Sequence, residues 1–283
     1  MRFVLILFAI LLIAPKNAMA GVNVVTSISP LALLVKDLGG DHVAVTSLVP
    51  NAGSIHHYSM RVSDRVAVDR ADLVVLVGAG LEPFLGKLQG LDAQKITRLD
   101  QLPNIVSLDN NANDSNDEGH SHDAAIDPHL WLNPTNVELL ADAVVKKLSE
   151  LLPSEATQFQ QRLKAFKIQQ QQALVSVNLD KTRSYFAYHN SFAYLLSHYG
   201  IGLQGVLTNA NESRMGMRSL YKVKQAVQAT DNACVLVQQS TKKLSEKILG
   251  DVSFAEIDVL AGQRQYSSYR EYLTAMLKAI DDC

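Results

Sequence analysis

Apolar positions in this chain fall into short runs, separated by stretches that repeat with helical spacing. Residues Asn23 to Ser27, Val43 to Val49, Leu73 to Val77 and Ile105 to Leu108 each read as a strand. The runs are rich in β-branched side chains and end at glycine, proline or polar turns. Ser29-Pro30 offers a cap and a proline for a first helix, which Gly39-Gly40 closes. A short helix fits Ser63 to Arg70, and Glu82-Pro83 opens another after Gly78-Ala-Gly80. Strands and helices alternating at this spacing imply right-handed crossovers and a parallel sheet.

At Asn133-Pro134 the pattern changes to two helical stretches, broken near Pro153. In the second, from about Ser154 to Asp180, Phe159, Leu163, Phe166, Leu174 and Val177 recur on one stripe. A helix of roughly 25 residues would span about 40 Å, enough to join two lobes. Alternation then resumes. Tyr185 to Tyr188, Gly202 to Leu207, Cys234 to Val237 and Phe254 to Ile257 are strand candidates. Helices fit near Ser213, from Thr241 to Leu249 and from Ser268 to about Ile280. The prediction is an α/β chain with two (β/α)4 lobes, each built on a parallel sheet, joined by one long helix. The lobes cover residues 21–152 and 182–283, and the helix 153–181.

Residues 1–20 stand outside this pattern. Arg2, the apolar run Phe3 to Ile13 and Ala18-Met19-Ala20 form a secretory signal peptide cleaved after Ala20. The run is too short to span a membrane, and no cysteine follows it to take a lipid. An exported chain of a Gram-negative periplasm is expected. Removing Arg2 and Lys16 takes the 26 basic residues to 24 against 28 acidic, a net charge of −4. No basic patch suggests nucleic acid. Cys234 and Cys283, an even count in an oxidising compartment, favour a disulfide over two free thiols.

The chemistry lies in three histidines. His56, His129 and His189 each follow a strand-like run, about 60 to 70 residues apart. In open α/β sheets, ligands bind outside the carboxyl ends of strands. There His56, His129, His189 and Asp258 would meet in a cleft between two facing lobes. Three neutral imidazoles with one carboxylate or water suit Zn2+. A secreted zinc hydrolase would use similar ligands, but H-E-x-x-H and G-x-S-x-G are both absent. A manganese or iron carrier on the same scaffold is the other alternative, although manganese favours oxygen ligands. Trp131 reads as core packing, and His42, His57 and His198 as surface or structural histidines.

Four segments carry a family resemblance: Leu48-Val-Pro-Asn-Ala-Gly-Ser-Ile-His-His-Tyr58, Ala71-Asp-Leu-Val-Val-Leu-Val-Gly-Ala-Gly-Leu-Glu-Pro-Phe84, Asp127-Pro-His-Leu-Trp-Leu-Asn-Pro134 and His189-Asn-Ser-Phe192. In this order the chain resembles the substrate-binding proteins of metal-ion ABC importers, most closely their zinc-specific periplasmic branch. The resemblance implies two lobes bridged by a rigid helix, with zinc held between them by His56, His129 and His189. It places Asp258 as a fourth or nearby ligand and implies delivery to an inner-membrane ABC permease, by a monomer and without catalysis. It also implies a disulfide from Cys234, in the third strand of the second lobe, to Cys283. Manganese-binding relatives carry glutamate at the third histidine position. Two departures stand out: Ile55, where some relatives have an acidic residue, and Gln238-Gln239, where many have an acidic residue and proline. The polar stretch Asp109 to Asp123 cannot fold alone. It stands where relatives carry a His-rich loop, so His120 and His122 are candidates for weak metal capture.

Overall fold

A computed structural model describes residues 21–50, 55, 56, 58–109, 126–208 and 216–283. The expected signal peptide, His57, His120 and His122 lie outside the described residues. Two parallel four-stranded sheets organise the rest. The first contains β1 (Val22–Thr26), β2 (Val43–Ser47), β3 (Leu73–Leu76) and β4 (Ile96–Arg98), in the order β2-β1-β3-β4. The second contains β5 (Ser184–Ala187), β6 (Leu203–Val206), β7 (Ala233–Val237) and β8 (Ser253–Glu256), in the equivalent order β6-β5-β7-β8. Helices α1 (Ser29–Gly39), α2 (Val62–Arg70), α3 (Pro134–Leu151) and α4 (Ala156–Val175) accompany the first half. The second half adds α5 (Ala193–His198), α6 (Met217–Gln228), α7 (Gln239–Leu249) and α8 (Tyr269–Asp281).

Central strands are buried on both faces, as a covered parallel sheet requires. β3 is buried at every position, whereas edge strand β2 alternates between half-buried and exposed. The two-residue period of a strand is explicit in β7. Cys234 and Leu236 enter the large core shared with α8, while Val235 and Val237 enter a smaller one that includes Val227 and Leu249. Cys234 is bonded to Cys283, just beyond α8, with their Cα atoms 5.9 Å apart.

Several elements differ from the sequence expectation. The fourth strand is Ile96–Arg98, paired in register with Val74 to Leu76, and not Ile105 to Leu108. The latter segment is irregular because side chains satisfy its backbone. Asn136 accepts from the Val106 N–H at 2.7 Å and donates to its carbonyl at 2.8 Å, and the Tyr194 hydroxyl accepts from the Leu108 N–H. Glu82-Pro83 opens only a 3₁₀ turn, Pro83–Leu88. Ile28 takes the N-cap position of α1, leaving Ser29 inside the helix.

The bridging helix α4 has 20 residues, about 30 Å at 1.5 Å per residue, shorter than expected. The Tyr199 hydroxyl donates to the Leu174 carbonyl in its last turn, and Val177 lies beyond the end. It still joins the halves, packing against α1 and α3 of the first half and α8 of the second. At this junction Phe166 meets Tyr269 with ring centroids 5.5 Å apart, and the Asp37 carboxylate accepts from the Tyr269 N–H at 2.8 Å. Among the described residues no helix is long and apolar enough to cross a membrane.

Candidate metal centre

His56 and His189 follow strands β2 and β5, whereas His129 follows the irregular connection that leads from β4 to α3. His56 lies in the connection between β2 and α2, held on one side by Ile55, which is buried in the core. On the other side Tyr58 donates its hydroxyl to Asp64 and packs on Phe84. His129 precedes a 3₁₀ turn, Leu130–Leu132, whose three side chains are all buried. The turn feeds α3, where the Asn133 side chain accepts from the Thr135 and Asn136 N–H groups as N-cap. His189 leaves β5 through Tyr188, whose N–H continues the sheet to the Leu236 carbonyl.

These placements converge. One ligand atom from each of His56, His129 and His189 lies within 4.8 Å of the other two. Nε2 of His129 and Nε2 of His189 face each other at 3.1 Å. Two imidazoles on one tetrahedral zinc, at about 2.05 Å each, would sit about 3.3 Å apart. The pair is therefore spaced as two ligands of one small cation would be. His129 and His189 are buried, whereas His56 is only half-buried at the mouth of the group.

One interaction determines which nitrogen of His129 faces this point. The Asp127 carboxylate, fully buried, accepts from His129 Nδ1 at 2.7 Å and from the His129 backbone N–H at 2.9 Å. An ionised carboxylate can only accept, so Nδ1 carries the proton and Nε2 presents its lone pair. The opposite lobe also reaches Asp127: Asn190 Nδ2 donates to its second oxygen at 3.0 Å, and the Tyr194 hydroxyl donates to its carbonyl. Trp131 is buried core, as expected, with its ring 5.3 Å from that of His129. Its indole N–H also points across the cleft at the Val259 carbonyl, 3.4 Å away.

The sequence matches the periplasmic component A family of zinc-uptake complexes, ZnuA, over residues 24–283. The chain belongs to that family. The high-affinity zinc uptake system protein ZnuA of Yersinia pestis is 27% identical over 252 residues, covering 81% of this chain and 79% of that one. A crystal structure of a 138–173 ZnuA deletion mutant with zinc bound is 25% identical, with a TM-score of 0.72 over 92% of this chain and 97% of that chain. The laminin-binding protein of Streptococcus agalactiae, described as an adhesin with metal-transporting activity, is 21% identical. Its TM-score is 0.77 over 93% and 98% of the two chains, a likeness of fold. Both sheets and the helical bridge are thus those of the ZnuA-type two-lobe fold.

Asp258, expected beside the histidines, follows β8 as anticipated, but its carboxylate is engaged within its own loop. Its oxygens accept from the Gly262 and Gln263 N–H groups, each at 2.8 Å, and it is not among the clustered ligand atoms. His42 is a structural histidine, 3.3 Å from Gln158 Oε1 and edge-on to Phe159. Sequence reasoning missed Asp127, Asn190 and Tyr194 as site residues. A carboxylate is a usual partner for the second ring nitrogen of a metal-binding histidine, and the position of Asp127 two residues before His129 was the available signal.

Proposed function

We propose that this protein captures Zn2+ in the periplasm through His56, His129 and His189 and delivers it to an inner-membrane ABC permease. The 3.1 Å approach of His129 Nε2 to His189 Nε2 carries this reading. Two buried nitrogens at that spacing are costly unless a shared cation or proton lies between them. Neutral imidazoles suit zinc better than manganese or iron(II) carriers on the same scaffold, whose harder ions favour oxygen. Asp258 contributes negative charge and fixes the loop 258–263 beside the cleft, while the three imidazoles supply the bonds. Membership of the ZnuA family supports a zinc carrier, and in this reading it binds and releases the ion as a monomer, without covalent chemistry.

Competition against a chelator of known affinity tests the proposal. One zinc should bind per chain, and alanine at any one of the three histidines should weaken it by orders of magnitude, since water replaces an imidazole poorly. Unchanged zinc affinity in His129→Ala would overturn the site.

A further inference from the structure

The two oxygens of Asp127 face different lobes. One accepts from the His129 ring and backbone; the other accepts from Asn190, which belongs to the second lobe. All three residues are buried, with Asp127 fully so. The Asn190 amide has one workable orientation here, its NH2 toward the carboxylate, because a flipped amide would face oxygen with oxygen. That orientation leaves Asn190 Oδ1 buried without a hydrogen-bond partner. A buried amide oxygen left unpaired is unfavourable, so the arrangement persists because Asp127 takes the donor. The residue that aims His129 is therefore itself held from across the cleft.

We propose that Asn190 is a positioning residue for the metal site. By donating to Asp127 from the opposite lobe, it makes the aim of His129 Nε2 depend on the two lobes being together. Parting the lobes by little more than one hydrogen-bond length releases the second oxygen of Asp127. The carboxylate can then turn, and the imidazole it orients loosens. Holding the ion and holding the lobes together become linked equilibria, so whatever draws the lobes apart also weakens the grip on the ion. This inference rests on the reading of the three histidines as zinc ligands.

The test measures zinc affinity by chelator competition at pH 7 in wild type, Asn190→Ala, His129→Ala and the double variant. The visible spectrum of the Co2+-loaded proteins is recorded alongside. Asn190→Ala should weaken zinc by about 10- to 100-fold, the range for residues that orient a ligand, and should alter the Co2+ bands. In the His129→Ala background the same change should have little effect, because Asn190 acts through that ring. An equal loss in both backgrounds would overturn the proposal, placing Asn190 on His189 or on the fold at large. So would wild-type affinity in Asn190→Ala. If the alanine variant does not fold, near-isosteric Asn190→Leu, which offers Asp127 no donor, carries the test. It should lose about as much affinity as the alanine variant, and wild-type affinity there would likewise overturn the proposal. Failure of wild type to bind zinc would instead strike the reading on which the inference rests.

Discussion

Glu82 is 1% exposed, and its carboxylate accepts from the Val77 N–H at 2.9 Å and the Gly78 N–H at 2.7 Å. It anchors the turn at the end of β3, where Gly78 has φ +152° and an added Cβ would come within 2.2 Å of the Asp100 side chain. Burial pushes the Glu82 carboxyl up to about 7, outweighing the two backbone donors that favour its charge. The native protein therefore holds this proton across a range where the unfolded chain, at an ordinary 4.5, has released it. Stability must fall as pH rises through that window and level off above about 7. From pH 5 to pH 8 this group alone should remove about 2 to 3 kcal/mol. Glu82→Gln is neutral at both values. Urea unfolding of the metal-free protein should thus show the variant gaining about 2 to 3 kcal/mol on wild type between pH 5 and pH 8. The Gln amide meets one backbone donor with its NH2, a penalty equal at both pH values that cancels in the comparison. Asp37, which burial raises to about 6, slopes the same way in both proteins and cancels too. Parallel stability curves for the two proteins would refute the reasoning.

Removing the Cys234–Cys283 bridge by Cys283→Ser opens a loop with a sequence separation of 49 and should cost at most about 4 kcal/mol in the same assay. Two thiols alkylated in unreduced native protein would show that the bond does not form. Asp258→Asn should weaken zinc at least tenfold less than His129→Ala, and an equal loss in chelator titrations would make Asp258 a ligand in its own right. His189→Glu replaces a nitrogen donor with oxygen and should favour manganese relative to zinc in a two-ion competition at pH 7. A wild type that already prefers manganese would move the assignment to that ion.

Most of the framework was legible because burial in parallel sheets leaves a plain mark. Leu73 to Val77 and Cys234 to Val237 are uninterrupted apolar runs, and both are central strands. Ile96-Thr-Arg98 escaped notice because three residues with a charged end carry too little pattern. Ile105 to Leu108 carried pattern enough to mislead, since its ladder partners are side chains from Asn136 and Tyr194, remote in sequence. The same limit applies at the site. The three histidines could be found one by one, His56 and His189 from the strands before them and His129 from its own segment, Asp127 to Pro134. Asn190 becomes a site residue only through its contact with Asp127, 63 residues away, which no local spacing records.

The bridge at Cys283 reaches further than the sheet it is attached to. It fastens the C-terminal end of α8 to β7, and the opposite end of that helix receives the Asp37 carboxylate and the Phe166 ring from the other half of the molecule. A covalent and hydrogen-bonded line thus runs from the middle of the second sheet to the seam between the halves. Thiols stay reduced in a reducing compartment and pair in an oxidising one. The redox state of the surroundings is therefore felt as firmness of that seam, and also beside the ion, because β7 holds Tyr188, the residue before His189, through the Leu236 carbonyl. Reductant should loosen the protein as a pair of jaws while leaving the imidazoles themselves chemically unaltered.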